Sequence, residues 1–186
     1  MISISYTLTL SLSLKGEGIY GWTLVKLRRH IHSNPEPGAD QPETVNFLVR
    51  QFEGMDVAMR YGSEEVGLVV DIDGIDKNGP TIGLRADMDA LRIRETDDPH
   101  HFPNKMGFTS SKEDAMHACG HDAHTAMLFG AGKVIYQTRN RLRGRVRLLF
   151  QPGEEGYHGA ERMINKGYLD GVDNVKRNYR YFDTIL

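Results

Sequence analysis

The sequence predicts a layered α/β domain, and three observations lead to this prediction. Segments with helical and strand-like periodicity follow one another in the order helix, helix, strand, strand, helix, strand, helix. The later strands are separated by a helix-length segment, which is the connection that a crossover within a sheet requires. Of the 186 residues, 39% are hydrophobic and 26% are charged, and this composition is ordinary for a single globular domain.

The first half of the predicted domain contains two helices and two strands. Apolar residues recur at helical spacing over residues 24–33 and again over residues 42–53. Residues 66–72 and 81–86 have the apolar and β-branched composition of strands. Between these strands, residues 73–80 have the composition of a turn.

The second half combines a long loop with the remaining elements. Residues 92–114 are polar and lack a sustained period, which predicts an ordered loop of a length that usually has a functional role. Helices are predicted over residues 123–137 and 159–166, with a strand over residues 145–150 between them. We expect the residues that follow the two later strands to meet at one edge of the sheet, where open α/β sheets bind ligands.

Residues 1–23 are predicted to be an extension without an assigned structure. Residues 2–14 form a run too short and too polar to cross a bilayer, and no basic residue precedes it as in a signal peptide. The net charge of −2 provides no general attraction to nucleic acid or to anionic lipid. One cysteine cannot form an internal disulfide. We therefore expect a cytoplasmic protein that acts on small molecules, without membrane or nucleic acid partners.

The most informative segment is residues 116–124, where the only cysteine lies among histidines and an aspartate. One glycine separates Cys119 from His121, and Gly120 permits a tight turn that brings both side chains together. A thiolate with an imidazole suits Zn²⁺ and similar divalent metals. A lone cysteine is more often a small buried hydrophobe, but these neighbours favour a metal ligand.

Three other polar residues of this segment have open roles. His124 lies three residues after His121 and can share its helical face or pack against a carboxylate. His117 is a weaker candidate for the site. Asp122 is predicted to cap a helix that begins at Ala123.

Carboxylates follow both of the later strands. Glu154 and Glu155 are compatible with a solvated glycine-rich turn, but the strand before them aims them at the sheet edge. Adjacent carboxylates can divide the work, because one can bind a metal ion while the other takes a proton from the attacking water. Asp87 and Asp89 can orient a ligating histidine or bind the metal directly.

Arginine alternates with other residues over residues 139–147 and raises the alternative of nucleic acid binding. No aromatic residues interleave with these arginines, and the chain is slightly acidic. This pattern favours a strand whose arginines face outward into solvent, so we expect no nucleic acid partner.

Four blocks together resemble the amidohydrolase branch of the M20 metallopeptidase family, whose members hydrolyse N-acyl amino acids, hippurate, auxin conjugates and aminobenzoyl-glutamate. The blocks are residues 27–36, 84–91, 116–124 and 150–160. They occur in the order that the family has. The resemblance implies a layered α/β/α domain like that of zinc peptidases, and hydrolysis of the amide bond between an acyl group and an amino acid.

The resemblance also implies a site with two divalent metal ions, Zn²⁺ or Mn²⁺, and a homodimer in intact relatives. The predicted metal ligands are Cys119, His121 and Glu155. The predicted catalytic residues are Glu154, as general base, and Asp89. The residues predicted to support the ligands are Asp87 and His124.

The resemblance ends near Val175. Where the family continues through a short apolar run to a histidine ligand, this chain has Tyr179. We therefore expect residues 24–175 to be the N-terminal part of the catalytic domain and residues 176–186 to be a divergent tail. The lid or dimerisation domain, the second half of the catalytic domain and its last histidine ligand are expected to be absent.

Three ligands are too few for two metal ions, so we expect a truncated and severely impaired amidohydrolase. The alternative is a non-catalytic remnant or an interaction module. That alternative predicts little bound metal and no turnover of acyl amino acids.

Overall fold

The computed structural model describes the backbone of residues 19–177 and the side chains of residues 23–175. Its helices are α1 (Ile19–Ser33), α2 (Pro42–Gln51), α3 (Phe102–Met106), α4 (His121–Gln137) and α5 (Gly159–Asn165), with a 3-10 helix at Arg139–Arg141. Its strands are β1 (Ala58–Arg60), β2 (Leu68–Asp73), β3 (Asp76–Asp87), β4 (Arg143–Gln151) and β5 (Asn174–Arg177).

These strands form one mixed sheet in the order β1-β2-β4-β3-β5. The pairs β1/β2 and β2/β4 are antiparallel, whereas β3 runs parallel to both β4 and β5. Helix α4 lies in the connection between β3 and β4, so the predicted helical crossover is present. Asp87 pairs with Gln151, and this register places the C-terminal ends of β3 and β4 side by side.

The larger core fills the space between one face of the sheet and helices α1, α2 and α4. Side chains alternate along β4, and Leu148 and Phe150 point into this core. Phe52 lies near the centre, where its ring meets those of Phe129 and Phe150 edge to face, with centroids 5.0 and 6.1 Å away. This packing holds α4, which carries the histidines of the predicted site, against the sheet.

A smaller apolar cluster covers the other face of the sheet. It contains side chains from β2, β4, α5 and the segment after α5, namely Val66, Val69, Leu149, Met163 and Tyr168. Helices therefore lie on both faces, and the predicted α/β/α layering is confirmed.

Two strands differ from the sequence prediction. Strand β3 begins at Asp76, so most of the turn expected over residues 73–80 belongs to a strand; this expectation was wrong. The pairing of β3 with β4 shifts between Asp76 and Thr81, and Pro80, which cannot donate a ladder hydrogen bond, lies within this interval. Strand β1 was not predicted, since three residues without alternation have no local signal and depend on pairing with β2.

The helices match the prediction more closely. Helix α1 begins at Ile19 instead of residue 24, and the long loop over residues 92–114 contains the short helix α3. The expectation for residues 1–18 lies outside the described residues. Within residues 19–177, no helix combines the length and the apolar character that a membrane crossing requires.

Candidate metal centre

The residues predicted for the site meet at the edge where β3 and β4 end. Two groups of possible metal donors are present among the described residues, and within each group the donor atoms all lie within 4.8 Å of one another. The groups are Cys119, His121 and Glu155, and Asp87, His121 and His124. The sequence-predicted ligands therefore converge, and the two supporting residues lie beside them.

A left-handed turn at Gly120 brings Cys119 and His121 together. The φ angle of Gly120 is +85°, a conformation in which a residue with a Cβ is strained. Helix α4 begins immediately after this turn, and the Oγ1 of Thr125 donates to the carbonyl oxygen of Asp87 at 2.8 Å. This bond ties the start of α4 to the end of β3.

Asp89 orients the ring of His121. The Nδ1 of His121 lies 2.8 Å from the Asp89 carbonyl oxygen and 3.3 Å from its Oδ1. A carbonyl oxygen only accepts hydrogen bonds, so Nδ1 carries a hydrogen and Nε2 has the lone pair that can bind a cation. The Oδ2 of Asp89 accepts from the backbone N–H of Glu155 at 2.9 Å. Burial favours a higher pKa for Asp89, but these hydrogen bonds outweigh burial and lower it.

The turn that carries Glu154 and Glu155 requires a glycine at the start of α5. A Cβ on Gly159 would lie 1.6 Å from the carbonyl oxygen of Pro152, so only glycine allows α5 to approach this turn. The glutamates are thereby fixed between the end of β4 and the start of α5.

Glu154 lies close to the predicted ligands. Its Oε2 is 4.0 Å from the Nε2 of His121, and its side chain is 43% exposed. Burial of the carboxyl group and the negative charges of Asp87 and Glu155 raise the pKa of Glu154. A raised pKa brings a carboxyl group closer to the range in which it can transfer protons near neutral pH.

The surroundings of Cys119 favour a bound cation. Burial and the neighbouring carboxylates, first Glu155 and then Glu154 and Asp87, raise the pKa of its thiol to about 11. A divalent cation at this position would offset the repulsion among these groups and stabilise the thiolate. Sulfur, nitrogen and oxygen donors within 4.8 Å of one another form a set that suits Zn²⁺. The residues present therefore fit a divalent metal ion.

Asp87 lies between two imidazoles and one guanidinium. Its Oδ2 is 4.0 Å from the Nε2 of His121 and 3.9 Å from the Nδ1 of His124. Its Oδ1 contacts Arg85, whose Nε donates to the Oε1 of Gln151 at 2.7 Å. Asp87 is thus anchored on one side and faces the site on the other.

The expectation that Asp122 caps α4 was wrong. Helix α4 begins at His121 with Gly120 as its N-cap residue, and no side chain caps it. Asp122 is fully buried, and its Oδ2 accepts from the Nε of Arg28 at 3.0 Å and lies 2.9 Å from the Nδ1 of His32. The earlier helix start turns this carboxylate toward α1.

A buried network around His32 was not predicted. The Nε2 of His32 lies 3.0 Å from the Oε1 of Glu95, and its other nitrogen faces Asp122. Glu95 also lies 2.9 Å from the Nε2 of His101 and accepts from the backbone N–H of Ser110. The network connects α1, the long loop and the start of α4, directly beside the predicted ligands.

His117 belongs to neither donor group. It is 5% exposed, and burial lowers its pKa to about 4. Neither of its ring nitrogens has a hydrogen-bond partner among the residues that the structure describes. This position is consistent with the sequence analysis, in which His117 is a weaker candidate for the site than His124.

The arginine run is exposed in part, at Arg141 and Arg143, but Arg147 faces inward. Arg147 is 7% exposed, and its Nε and Nη2 donate to the carboxylate of Asp71 at 2.7 and 2.9 Å. The Nε of Arg145 donates to the Oδ1 of Asp73 at 2.6 Å. The expectation of a solvated face was wrong for Arg147, because Asp71 of β2 pairs with it in a buried position.

A cleft of about 660 Å³ lies at the opposite edge of the sheet, where β2 ends and β4 begins. None of the residues predicted for the site lines it. Because the donor groups lie at the other edge, we assign the metal chemistry to that edge and no role to this cleft.

Comparison with known proteins places this site in a family. Residues 83–183 match the family described as peptidase family M20/M25/M40. The chain belongs to this family. The resemblance drawn from the four sequence blocks is therefore confirmed.

Relatives of this M20-family chain include N-acetyl-L-cysteine deacetylase of Bacillus subtilis, which is 40% identical over 152 residues, or 82% of this chain and 35% of that protein. IAA-amino acid hydrolase ILR1-like 2 of Arabidopsis thaliana is 38% identical over 161 residues, or 87% of this chain and 34% of that protein. The chain thus spans about a third of the length of these curated relatives.

A solved structure supports the same assignment. The fold is similar to that of a dinuclear metal-binding peptidase of the M20 family from Bacillus subtilis, with a TM-score of 0.74 and 33% identity. The similarity covers 85% of this chain and 42% of that protein.

Proposed function

We propose that this chain contains the metal-binding part of an amidohydrolase that cleaves the amide bond of N-acyl amino acids or related conjugates. The observation that supports this most directly is the convergence of Cys119, His121 and Glu155 beside Glu154. The names of two relatives, an N-acetyl-L-cysteine deacetylase and an IAA-amino acid hydrolase, support a substrate in which an acyl group is joined to an amino acid.

Cys119, His121 and Glu155 would hold a divalent cation, Zn²⁺ or Mn²⁺. When bound, the cation supplies polarisation of the amide carbonyl and activation of water. His121 is ready to bind through Nε2, because its Nδ1–H is directed at Asp89. Asp89 acts as a positioning residue, since its contacts go to His121 and to the backbone of Glu155.

Glu154 would be the general base. Its carboxylate would take a proton from the attacking water and pass it to the departing amine. The distance of 4.0 Å between its Oε2 and the Nε2 of His121 keeps it next to the ligands without a direct hydrogen bond to them. Its raised pKa favours the return of that proton.

We expect the activity of this chain alone to be severely impaired. Among the described residues, the donor group that contains Cys119 has three members, and it shares His121 with the group formed with Asp87 and His124. Two metal ions bound at the same time need more ligands than these two donor groups supply. A cytoplasmic location fits this proposal, because a metal-binding thiol must stay reduced.

The test compares Glu154→Gln with the matched control Glu161→Gln in the purified 186-residue chain. Glu161 lies on α5 with a side chain that is 71% exposed. With Zn²⁺ or Mn²⁺ and N-acetyl-L-amino acids, we expect slow hydrolysis in the unaltered chain and in the control. Loss of the general base should reduce the rate by about 100-fold or more.

This proposal would be contradicted if the unaltered chain, loaded with metal, hydrolysed the substrate no faster than the Glu154→Gln variant does. That result would support the second candidate, a non-catalytic remnant or interaction module. Loss of activity in the Glu161→Gln control would show that the effect is not specific to the proposed base.

A further inference from the structure

The loop between α1 and α2, residues 34–41, lies against the turn that carries Glu154 and Glu155. A Cβ on Gly153, the residue before Glu154, would lie 3.2 Å from the carbonyl oxygen of Ala39 and 3.4 Å from its Cα. Gly153 also has a φ angle of +58°, so this position favours glycine. The backbone of the loop therefore packs directly on the start of the turn.

The same loop is bonded to the segment that carries Asp89. The backbone N–H of Ala90 donates to the carbonyl oxygen of Glu36 at 3.1 Å. The side chain of Glu36 is buried, and it accepts from the backbone N–H groups of Glu43 and Thr44 at the start of α2. This end of the loop is thus fixed to α2 and to one segment of the candidate metal centre.

Arg162 joins the other end of the loop to α5. Its Nη1 donates to the carbonyl oxygen of Ala39 at 2.7 Å, and its Nη2 donates to the Oδ1 of Asp40 at 2.7 Å. The backbone N–H of Gly159, where α5 begins, donates to the carbonyl oxygen of Gly153 at 3.1 Å. The turn is therefore enclosed between the loop and the start of α5, and Arg162 fastens these two to each other.

The exposure of this contact indicates a local effect. The side chain of Arg162 is 34% exposed and that of Asp40 is 60% exposed, and ion pairs with such exposure contribute little to the stability of a whole fold. A guanidinium that donates to two acceptors nevertheless fixes their relative positions, because its N–H groups form a rigid fork.

We propose that Arg162 is a positioning residue, which restrains the turn so that Glu155 stays within reach of the other donors of the candidate metal centre. Asp89 holds the same turn from the opposite side, because its Oδ2 accepts from the backbone N–H of Glu155 at 2.9 Å. The consequence for metal binding rests on the proposed function, whereas the restraint of the turn does not.

Hydrogen exchange of the metal-free 186-residue chain tests the restraint. Nuclear magnetic resonance follows the backbone N–H of Glu155, which is protected while it donates to Asp89. We expect Arg162→Ala to accelerate its exchange by about tenfold or more, because the turn opens locally more often. Arg162→Lys should restore part of the protection, since an ammonium can still donate to one of the two acceptors.

Zn²⁺ affinity, measured by competition with a chelating dye, tests the consequence. Arg162→Ala should raise the Kd by about tenfold, at the lower end of the range for residues that support ligands. In a Glu155→Ala background the same substitution should have no further effect, because Arg162 acts through Glu155. A general loss of stability would not show this dependence on one carboxylate.

Lys166→Ala is the matched control. Lys166 follows α5, and its Nζ donates to the carbonyl oxygen of Glu64, so it fastens the other end of this helix. Its loss should leave the exchange of Glu155 and the Kd for Zn²⁺ within about twofold. Asp40→Ala removes one contact of Arg162 from the loop side, and it replaces Arg162→Ala if circular dichroism shows that variant to be misfolded.

Two results would overturn the positioning role. One is unchanged exchange of Glu155 in Arg162→Ala, and the other is an equal acceleration in the Lys166→Ala control. An equal loss of Zn²⁺ affinity with and without the Glu155 carboxylate would show that Arg162 does not act through Glu155. Absence of Zn²⁺ binding in the unaltered chain would contradict the proposed function, while the exchange measurements would still decide the restraint.

Discussion

The carboxylate of Asp89 connects residues that come from different elements. Its Oδ1 lies 3.3 Å from the Nδ1 of His121 at the start of α4, and its Oδ2 accepts from the backbone of Glu155 after β4. An amide in its place has one oxygen, which can accept from Glu155, but it removes the negative charge beside the imidazole and places an NH₂ group there. Asp89 therefore controls the ring of one predicted ligand and the backbone of another.

Asp89→Asn is expected to weaken metal binding without unfolding the chain. The loss of one contact to the ligands should lower the affinity for Zn²⁺ by about 10–100-fold. Competition titration with a chelating dye measures this change, and Asp97→Asn is the control, because its side chain is 86% exposed. An affinity equal to that of the control would contradict the positioning role.

Arg147→Ala is expected to destabilise the fold, because it leaves Asp71 in a buried position without its closest partner. The cost is about 3 kcal/mol, at the lower end of the range for such losses, since Arg145 remains 3.4 Å from Asp71. Arg143→Ala, whose side chain is 81% exposed, should change the free energy of unfolding by less than about 0.5 kcal/mol. Urea unfolding distinguishes the two, and equal stability of both variants would contradict the buried pairing.

The donor residues of the site could be predicted because their chemistry is concentrated in short stretches, residues 116–124 and the pair at 154 and 155. The contacts of His32 could not, because its partner Glu95 lies 63 residues away in a loop without periodicity. Asp122 was misassigned for a related reason: a left-handed glycine, not a side-chain cap, sets the start of α4. The catalytic and ligand roles themselves remain predictions.

At the level of elements, α2 and α4 lie close to their predicted bounds because their apolar residues recur with the period of a helix. Strand β3 is longer than predicted, since pairing with β4 extends from Asp76 to Asp87, beyond its locally apolar part. The local pattern of apolar residues thus predicts the position of a helix or strand, and the length of a strand depends on its pairing with neighbouring strands.

The buried network links three elements through the imidazole of His32. Burial opposes the charged form of His32, but the hydrogen bonds and charges of Asp122 and Glu95 outweigh burial and raise its pKa above 6.5. Burial also favours protonation of Glu95, yet His32, the Ser110 backbone and His101 together lower its pKa below 4.5. His32 of α1 and Glu95 of the long loop therefore have pKa values that shift in opposite directions, and each shift favours the charged form of the group.

The stability of the chain should depend on pH through this network. The contribution of His32 is complete below pH 6.5 and is lost as the pH rises through its raised pKa. The contribution of Glu95 is complete above pH 4.5 and is lost as the pH falls through its lowered pKa. Urea unfolding should show a maximum between these values. His32→Gln should reduce the decline on the alkaline side, and His121, whose pKa is also raised, should account for what is left of it. An unchanged alkaline decline would contradict this assignment.

At the scale of the whole molecule, the order of elements was sufficient to predict layers but not the order of strands. Strand β2 pairs with β4 instead of its sequence neighbour β3, and this places two antiparallel pairs beside two parallel ones. Such pairings depend on contacts between distant segments and leave no local pattern. The position of the site was nevertheless predictable, because parallel strands end at a common edge.

Metal binding should stabilise the entire chain, because Cys119 and His121 meet Glu155, which lies 34 residues further along the chain, only in the folded state. Zn²⁺ at 100 times its Kd is expected to raise the free energy of unfolding by about 2.7 kcal/mol. Thermal unfolding with Zn²⁺ and with a chelator measures this difference. The gain should shrink in Cys119→Ser, and an equal melting temperature with and without Zn²⁺ would contradict binding to the folded state.

Cys119 is the only cysteine of the chain and is exposed at the candidate metal centre. Because its pKa is raised to about 11, the metal-free thiol should react slowly with iodoacetamide at neutral pH and faster as the pH rises. A bound ion would occupy the sulfur and block alkylation. The mass added by a single alkyl group therefore reports whether each molecule carried an ion there.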